Sequence, residues 1–272
     1  MSIEIRHVTH IYDAGTPHET RALDGIDLTI GKGTVFGLVG GIGSGKSTLA
    51  SLMAGLDSPS DGSITIDGEV PSPGKNVGIL FQQPEDLFFE RTLFKDMVLG
   101  LTHLGLSEEE VEKRIFFTLD QVGLSKQILS RSPFHLNRGT LRLAAFASVL
   151  VMNPGYLILD EPTASLDPGS RKRLVEIIKR ISEDITIIYI SHRLQEVIEV
   201  SDRLVVLDKG NITFNGTRSD YLDWGAGQDG GEYLPILNQI LYRLHQLGLD
   251  VDLKVTQRED VVEQIRRTLE RT

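Results

Sequence analysis

The chain has 272 residues, enough for one large domain or for one domain with a small extension. Acidic residues outnumber basic ones, 38 to 28, for a formal charge of -10, which counts against a generic nucleic-acid binder because such proteins usually carry a basic excess. There are no cysteines, so disulfides, thiolate metal sites and a cysteine nucleophile are excluded, and a reducing compartment fits.

The opening segment, MSIEIRHVTHIYDAG, lacks the apolar stretch of a signal peptide. No run approaches the roughly 18 apolar residues of a membrane-spanning helix. Any membrane role is therefore expected to come through a partner. Runs at 3–8, 26–30 and 64–66 predict strands of an antiparallel layer. Between them, 34–39 is an apolar run that stops at a glycine cluster, and Leu49, Leu52, Met53 and Leu56 follow it at helical spacing. Runs at 77–81, 156–159 and 185–190 are apolar on both faces, as in a covered parallel sheet.

Helical signals lie between these runs. Ser107 and Glu110 form a capping-box pattern ahead of Val111, Ile115 and Leu119. The longest apolar run, 143–152, predicts a buried helix. Asp167 followed by Pro168 opens a further helix through Leu174, Ile177, Ile178 and Ile181. Runs at 204–207 and 212–214 flank Asp208-Lys209-Gly210 and predict a hairpin. From about 216 the character changes. The glycine-rich stretch 224–231 predicts a linker. Leu237, Ile240, Leu241 and Leu244 then predict an amphipathic helix, and Thr256 with Glu259 a capping box before Val262, Ile265 and Leu269.

The glycine cluster carries the first chemistry. Gly40, Gly41, Ile42, Gly43, Ser44, Gly45, Lys46 and Ser47 match the P-loop pattern G-x-x-x-x-G-K-[ST], with Thr48 next in line. Glycines let successive backbone N–H groups converge on phosphate oxygens, and the following helix presents its positive end to the same anion. Lys46 is expected to reach the β- and γ-phosphates, and the Ser47 hydroxyl to coordinate Mg²⁺. A glycine-rich turn without chemistry is the bland alternative. The strand before and helix after the cluster favour the phosphate site. Farther on, the 156–159 run ends in Asp160-Glu161. Asp160 is expected to help hold Mg²⁺ and Glu161 to act as general base toward water, whereas in isolation such a pair is often only a solvated strand end.

These residues, with Gln82, Leu159-Asp160-Glu161-Pro162-Thr163, Ser165-Leu166-Asp167 and Ile190-Ser191-His192 in that order, resemble the ABC ATPases over roughly residues 1 to 215. The resemblance implies an α/β fold. It has a P-loop NTPase (RecA-like) core, an antiparallel β layer, a helical subdomain at about 84–150 and a small C-terminal helical extension at 216–272. It implies roles residue by residue. Tyr12 stacks on adenine. Gln82 touches Mg²⁺ and water and links the site to the membrane partner. Asp167 contacts the opposite subunit, and His192 senses the γ-phosphate. Each alone has a plainer alternative: surface tyrosine, loop glutamine, helix cap, packed strand-end histidine. A narrower resemblance is to the ATPases of energy-coupling-factor transporters, which import vitamins or metal ions. It rests on Gly15-Thr16-Pro17, Arg21-Ala22-Leu23, Phe81-Gln82-Gln83-Pro84-Glu85-Asp86 with Phe88, and the helical tail, which in that family helps pair two ATPase subunits. Leu87 stands where the family usually has glutamine.

The ABC signature normally reads Leu-Ser-Gly-Gly-Gln; here the matching segment is Leu136-Asn137-Arg138-Gly139-Thr140. In the family this segment opens a helix and faces the ATP held by the other subunit. Asn137 retains an amide donor. Arg138 replaces a glycine at a close approach, so its bulk is expected to impair the partner's site, unless its guanidinium contacts the phosphate itself. Since the chain's own pocket residues are intact, the expectation is a heterodimer with a related ATPase carrying an unaltered signature, ATP and Mg²⁺ as ligands, and a transmembrane coupling protein and a substrate-binding membrane component as partners. That places the chain peripherally on the cytoplasmic face of the membrane. A conventional ABC transporter subunit and a soluble non-transport ABC ATPase are the alternatives.

Overall fold

The computed structural model describes residues 2–228, 231 and 233–270. The first strands are β1 (Ser2–Tyr12), β2 (Thr20–Gly31), β3 (Val35–Gly40) and β4 (Asp61–Ile66). β1, β2 and β4 form a three-stranded antiparallel sheet in the order β2-β1-β4. β3 joins a second sheet with β5 (Val77–Leu80), β6 (Tyr156–Asp160), β7 (Thr186–Ile190), β8 (Arg203–Asp208) and β9 (Asn211–Thr217), in the order β5-β6-β7-β3-β8-β9. Its strands are parallel except β9, which returns on β8 through Lys209-Gly210. Both turn residues have positive φ, 46° and 79°, the geometry that matches strand twist in a two-residue hairpin.

Strand alternation sorts the side chains into two cores. Tyr156 and Ile158 of β6 face the antiparallel sheet across α1 (Lys46–Met53), with Leu49, Leu52, Ile3 and Ile64 in the same cluster. Leu157 and Leu159 face the other way. There they meet α4 (Arg138–Leu150) and α5 (Pro168–Ile181), and the same cluster takes in α2 (Leu93–Leu101), α3 (Glu108–Val122) and α6 (Leu194–Val200). The tail adds α7 (Arg218–Ala226), α8 (Ile236–Gln246) and α9 (Arg258–Leu269). Leu241, Val251 and Val261 make a third, small core there. No helix among the described residues is long and apolar enough to cross a membrane.

Several local expectations differ from what forms. α1 stops at Met53, because Gly55 turns the chain at φ +71° against the backbone of Pro71 and Ser72; Leu56 lies past the helix and is half-exposed. Trp224 belongs to α7 and not to a linker. A Thr217–Asp220 capping box starts that helix, and its Tyr221 and Leu222 enter the main core. β9 crosses position 216, so the separately cored part of the tail begins after Leu234. Asp229 and Gly230 of the expected linker, and Glu232, Arg271 and Thr272 of the expected extension, lie outside the described residues. Thr256 does not cap α9. The cap position is Gln257, while Thr256 is buried and its carbonyl accepts a hydrogen bond from Gln195 of α6 at 3.0 Å.

Candidate active site

β3 delivers the chain to Gly40, and α1 begins at Lys46. The loop between them depends on glycine. Gly45 sits at φ +103°, and a Cβ there would lie 2.6 Å from the Ala22 carbonyl oxygen. Nothing lies within 4 Å of the space a Cβ would take at Gly41 or Gly43, so this backbone is open to an approaching anion. Ile42 at the loop tip is fully exposed. The Lys46 ammonium folds into the loop, donating to the carbonyls of Gly40 (2.9 Å) and Gly41 (2.7 Å) and to Ser44 Oγ (3.3 Å). Partial burial lowers its pKa, against the opposing pull of Asp160 and Glu161.

β6 carries Asp160 to the same place. Ser47 Oγ donates to Asp160 Oδ2 at 3.1 Å. Burial pushes the Asp160 carboxyl up; the Ser47 hydrogen bond and Lys46 pull it down, and Glu161 adds to the rise. Glu161 turns the chain at φ +50°, an uncommon conformation for a residue with a side chain. Its N–H donates to Ile190 O at 2.9 Å and its carbonyl accepts from Ala164 N at 3.0 Å. The carboxylate is buried and held at both oxygens: Ser191 Oγ donates to Oε2 at 3.0 Å, and His192 N donates to Oε1 at 2.6 Å. His192 Nδ1 lies 2.7 Å from the same Oε1, which assigns the ring proton to Nδ1, while most of the ring stays exposed.

Gly40, Gly41, Ile42, Gly43, Lys46, Ser47, Gln82, Asp160, Glu161 and His192 border one cavity of about 900 Å³. Tyr221, Trp224 and Tyr233 from the tail wall the same cavity, aromatic residues to which no motif pointed. Ser44 is buried beneath the loop. Thr48 faces away toward Tyr12, whose hydroxyl donates to Thr48 Oγ1 at 3.1 Å; both stand outside the cavity's lining. Asp167 caps α5, accepting from Gly169 N, Ser170 N and Ser170 Oγ, which holds its carboxyl below the usual range. Asn137 caps α4 by accepting from Thr140 N at 2.9 Å. Gly139 packs on α5, where a Cβ would meet Ser170 Oγ at 2.8 Å. Arg138 is exposed and lines a separate cleft of about 450 Å³ with Gln82, Phe134, Ser165 and Leu166. A larger cleft, about 1090 Å³, opens between α3 and the far end of α5 and contains none of these groups, so size alone would misplace the site.

Arg142 is a further residue to which no motif pointed. It is buried, and its guanidinium donates from Nη2 to Gln82 O (2.9 Å) and from Nη1 to Glu161 O (3.2 Å).

The groups present suit a magnesium–triphosphate ligand. Ser47 and Asp160 pair two hard oxygens beside an open backbone cradle and a cation, the donor chemistry of Mg²⁺ and not of zinc or copper. A parallel strand, a glycine loop, a lysine-led helix and an acidic pair on a neighbouring strand together define a P-loop nucleoside triphosphatase.

Residues 23–164 match the ABC transporter family. The chain is 37% identical to the energy-coupling factor transporter ATP-binding protein EcfA2 of Caldanaerobacter subterraneus subsp. tengcongensis, covering 100% of this chain and 99% of that protein. It is 35% identical to EcfA2 of Acetivibrio thermocellus, over 98% of this chain and 100% of that one. Among solved structures, cbiO1 from Clostridium perfringens, described as part of the ABC transporter complex cbiONQ, aligns with a TM-score of 0.74 at 28% identity, over 90% of this chain and 96% of that one. A dimeric ATP-binding cassette bound to ADP and Pi aligns at 0.73 and 25% identity, over 79% and 98%. The chain belongs to the ABC transporter ATPases, in the branch of the energy-coupling factor ATP-binding proteins.

Proposed function

We propose that this chain is the ATP-hydrolysing subunit of an energy-coupling-factor importer of vitamins or metal ions, held peripherally at the cytoplasmic face of the membrane by a transmembrane coupling protein that also engages a substrate-binding membrane component. The observation that supports it best is the buried Glu161 carboxylate, hydrogen-bonded to His192, in one cavity with Lys46 and the Ser47–Asp160 pair.

ATP binds with its phosphates on the N–H groups of the glycine loop, and Lys46 exchanges its loop carbonyls for β- and γ-phosphate oxygens. Tyr12 offers its ring to adenine. Ser47 and Asp160 would hold Mg²⁺ and Gln82 would touch it; when bound, the ion would supply charge neutralisation for the triphosphate. Glu161 accepts the proton of the attacking water, and His192 senses the γ-phosphate. A second ATPase subunit completes the site from outside, with Asp167 and the tail at the contact between the two chains. The signature segment, Asn137, Arg138, Gly139 and Thr140, faces the partner's ATP. The pair is a heterodimer, because Arg138 brings bulk to a close approach suited to glycine.

The test is Glu161→Gln in the assembled complex. Amide for carboxylate keeps shape and removes the base, so ATP affinity should hold while turnover falls by about 100-fold or more. Turnover near wild type would remove Glu161 from that role.

A further inference from the structure

Arg142 lies on α4 one helical turn after Arg138, the first residue of that helix. A guanidinium is charged at any accessible pH and costly to take out of water, so a buried one must be held by acceptors. Two backbone carbonyls accept from it: Gln82 at 2.9 Å on one arm and Glu161 at 3.2 Å on the other. Neither carbonyl belongs to regular strand or helix; Gln82 lies two residues past the end of β5, and Glu161 directly follows β6.

The Glu161 backbone also needs support. Its φ of +50° is unfavourable for a residue with a side chain and persists only where neighbours over-determine it. The N–H is tied to Ile190, the carbonyl to Ala164 N and to Arg142. That turn aims the carboxylate at Ser191 and His192.

We propose that Arg142 is a positioning residue for hydrolysis. Its planar fork ties the backbone at Gln82 to the backbone at Glu161, so that movement of the Gln82 segment or of the start of α4 reaches the Glu161 carboxylate. Given the role proposed above for Glu161, this makes the orientation of the base depend on the conformation of a segment that borders both the nucleotide cavity and the cleft of Arg138. Arg142 itself does not touch the reacting atoms.

The experiment compares Arg142→Lys and Arg142→Ala with wild type in the full-length chain assembled with its partner subunits, measuring kcat, ATP affinity and Tm. Lysine keeps the charge but presents a compact ammonium that cannot span both carbonyls. The expected result for Arg142→Lys is a fall in kcat of about tenfold or more, with ATP affinity within about threefold. Millimolar methylguanidinium should restore part of the turnover of Arg142→Ala, and methylammonium should not. Turnover of Arg142→Lys within about twofold of wild type would overturn the proposal. So would losses of kcat, ATP affinity and Tm in parallel, which would make Arg142 a packing residue. If Glu161→Gln retains turnover while Arg142→Lys loses it, the role of Glu161 fails and Arg142 acts by another route; if Glu161→Gln is inactive and Arg142→Lys is not, only the coupling fails.

Discussion

Asp160 is more than half buried, and burial is the largest influence on its carboxyl, pushing the pKa up; the Ser47 hydrogen bond and Lys46 only partly offset this, with Glu161 adding to the rise. A carboxyl whose pKa is higher folded than unfolded binds its proton more tightly in the native state. Its stabilising contribution is complete below the unfolded pKa and is lost as pH rises through the folded one. At neutral pH the empty site therefore holds a disfavoured charge, useful only once a cation arrives. Asp160→Asn removes that charge. Without nucleotide, the variant should melt above wild type at neutral pH by roughly 1–3 °C, and the gap should close as pH is lowered toward the carboxylate range. Calorimetry across that range checks it; a variant that melts lower at neutral pH would mean that attraction to Lys46 outweighs burial. The residues around Asp160 were legible because chemistry fixes their order: glycine loop, lysine, serine, then a strand ending in carboxylates. Arg142 was not legible, because an arginine reaching two backbone carbonyls leaves no pattern in a single sequence. The aromatic wall of Tyr221, Trp224 and Tyr233 was hidden for a similar reason, since only tertiary folding brings the tail to the P-loop.

Helix starts show where local sequence suffices and where packing overrules it. Ser107–Glu110 and Thr256–Glu259 have the same pattern. The first forms a complete capping box at the start of α3. The second does not, because Thr256 is drawn inward and its carbonyl is taken by Gln195, so α9 starts a residue later. Thr217–Asp220 forms a box that went unread, since the glycines after Trp224 suggested a linker. The strands were easier: the short runs at 77–81, 156–159 and 185–190, apolar on both faces, fit a covered parallel sheet, and each forms a strand of it. For α4 the cap has a functional neighbour. Asn137 Oδ1 accepts from Thr140 N, leaving only the amide N–H groups for a partner's phosphate. Asn137→Ala should cost about 1 kcal/mol of stability, while Asn137→Ser, which can also cap, should cost only a few tenths. Urea denaturation of the two variants separates them. Equal losses would show that the contact of Gly139 with Ser170 on α5, and not the cap, fixes the start of the helix.

At the scale of the whole molecule the two ends of the mechanism are unequal. The pocket residues Lys46, Ser47, Asp160, Glu161 and His192 converge on one cavity, while the segment proposed to face the partner's ATP carries an exposed arginine, Arg138, in a different cleft. A symmetric pair of this chain would place two Arg138 side chains at two close approaches to triphosphate. A mixed pair places one, and gives this chain's own pocket an unaltered signature. The mixed complex should therefore hydrolyse ATP at least about fivefold faster than any complex holding two copies of this chain. Arg138→Gly should raise the two-copy rate and change the mixed rate less, since only the partner's site feels the substitution there. The opposite outcome has a definite meaning as well. If Arg138→Gly lowers hydrolysis in both assemblies, the guanidinium contacts phosphate in its own right, as a cation supplied from the neighbouring subunit. The need for an unlike partner then disappears. Steady-state ATPase rates of the two assemblies, each with and without the substitution, decide between obstruction and contact.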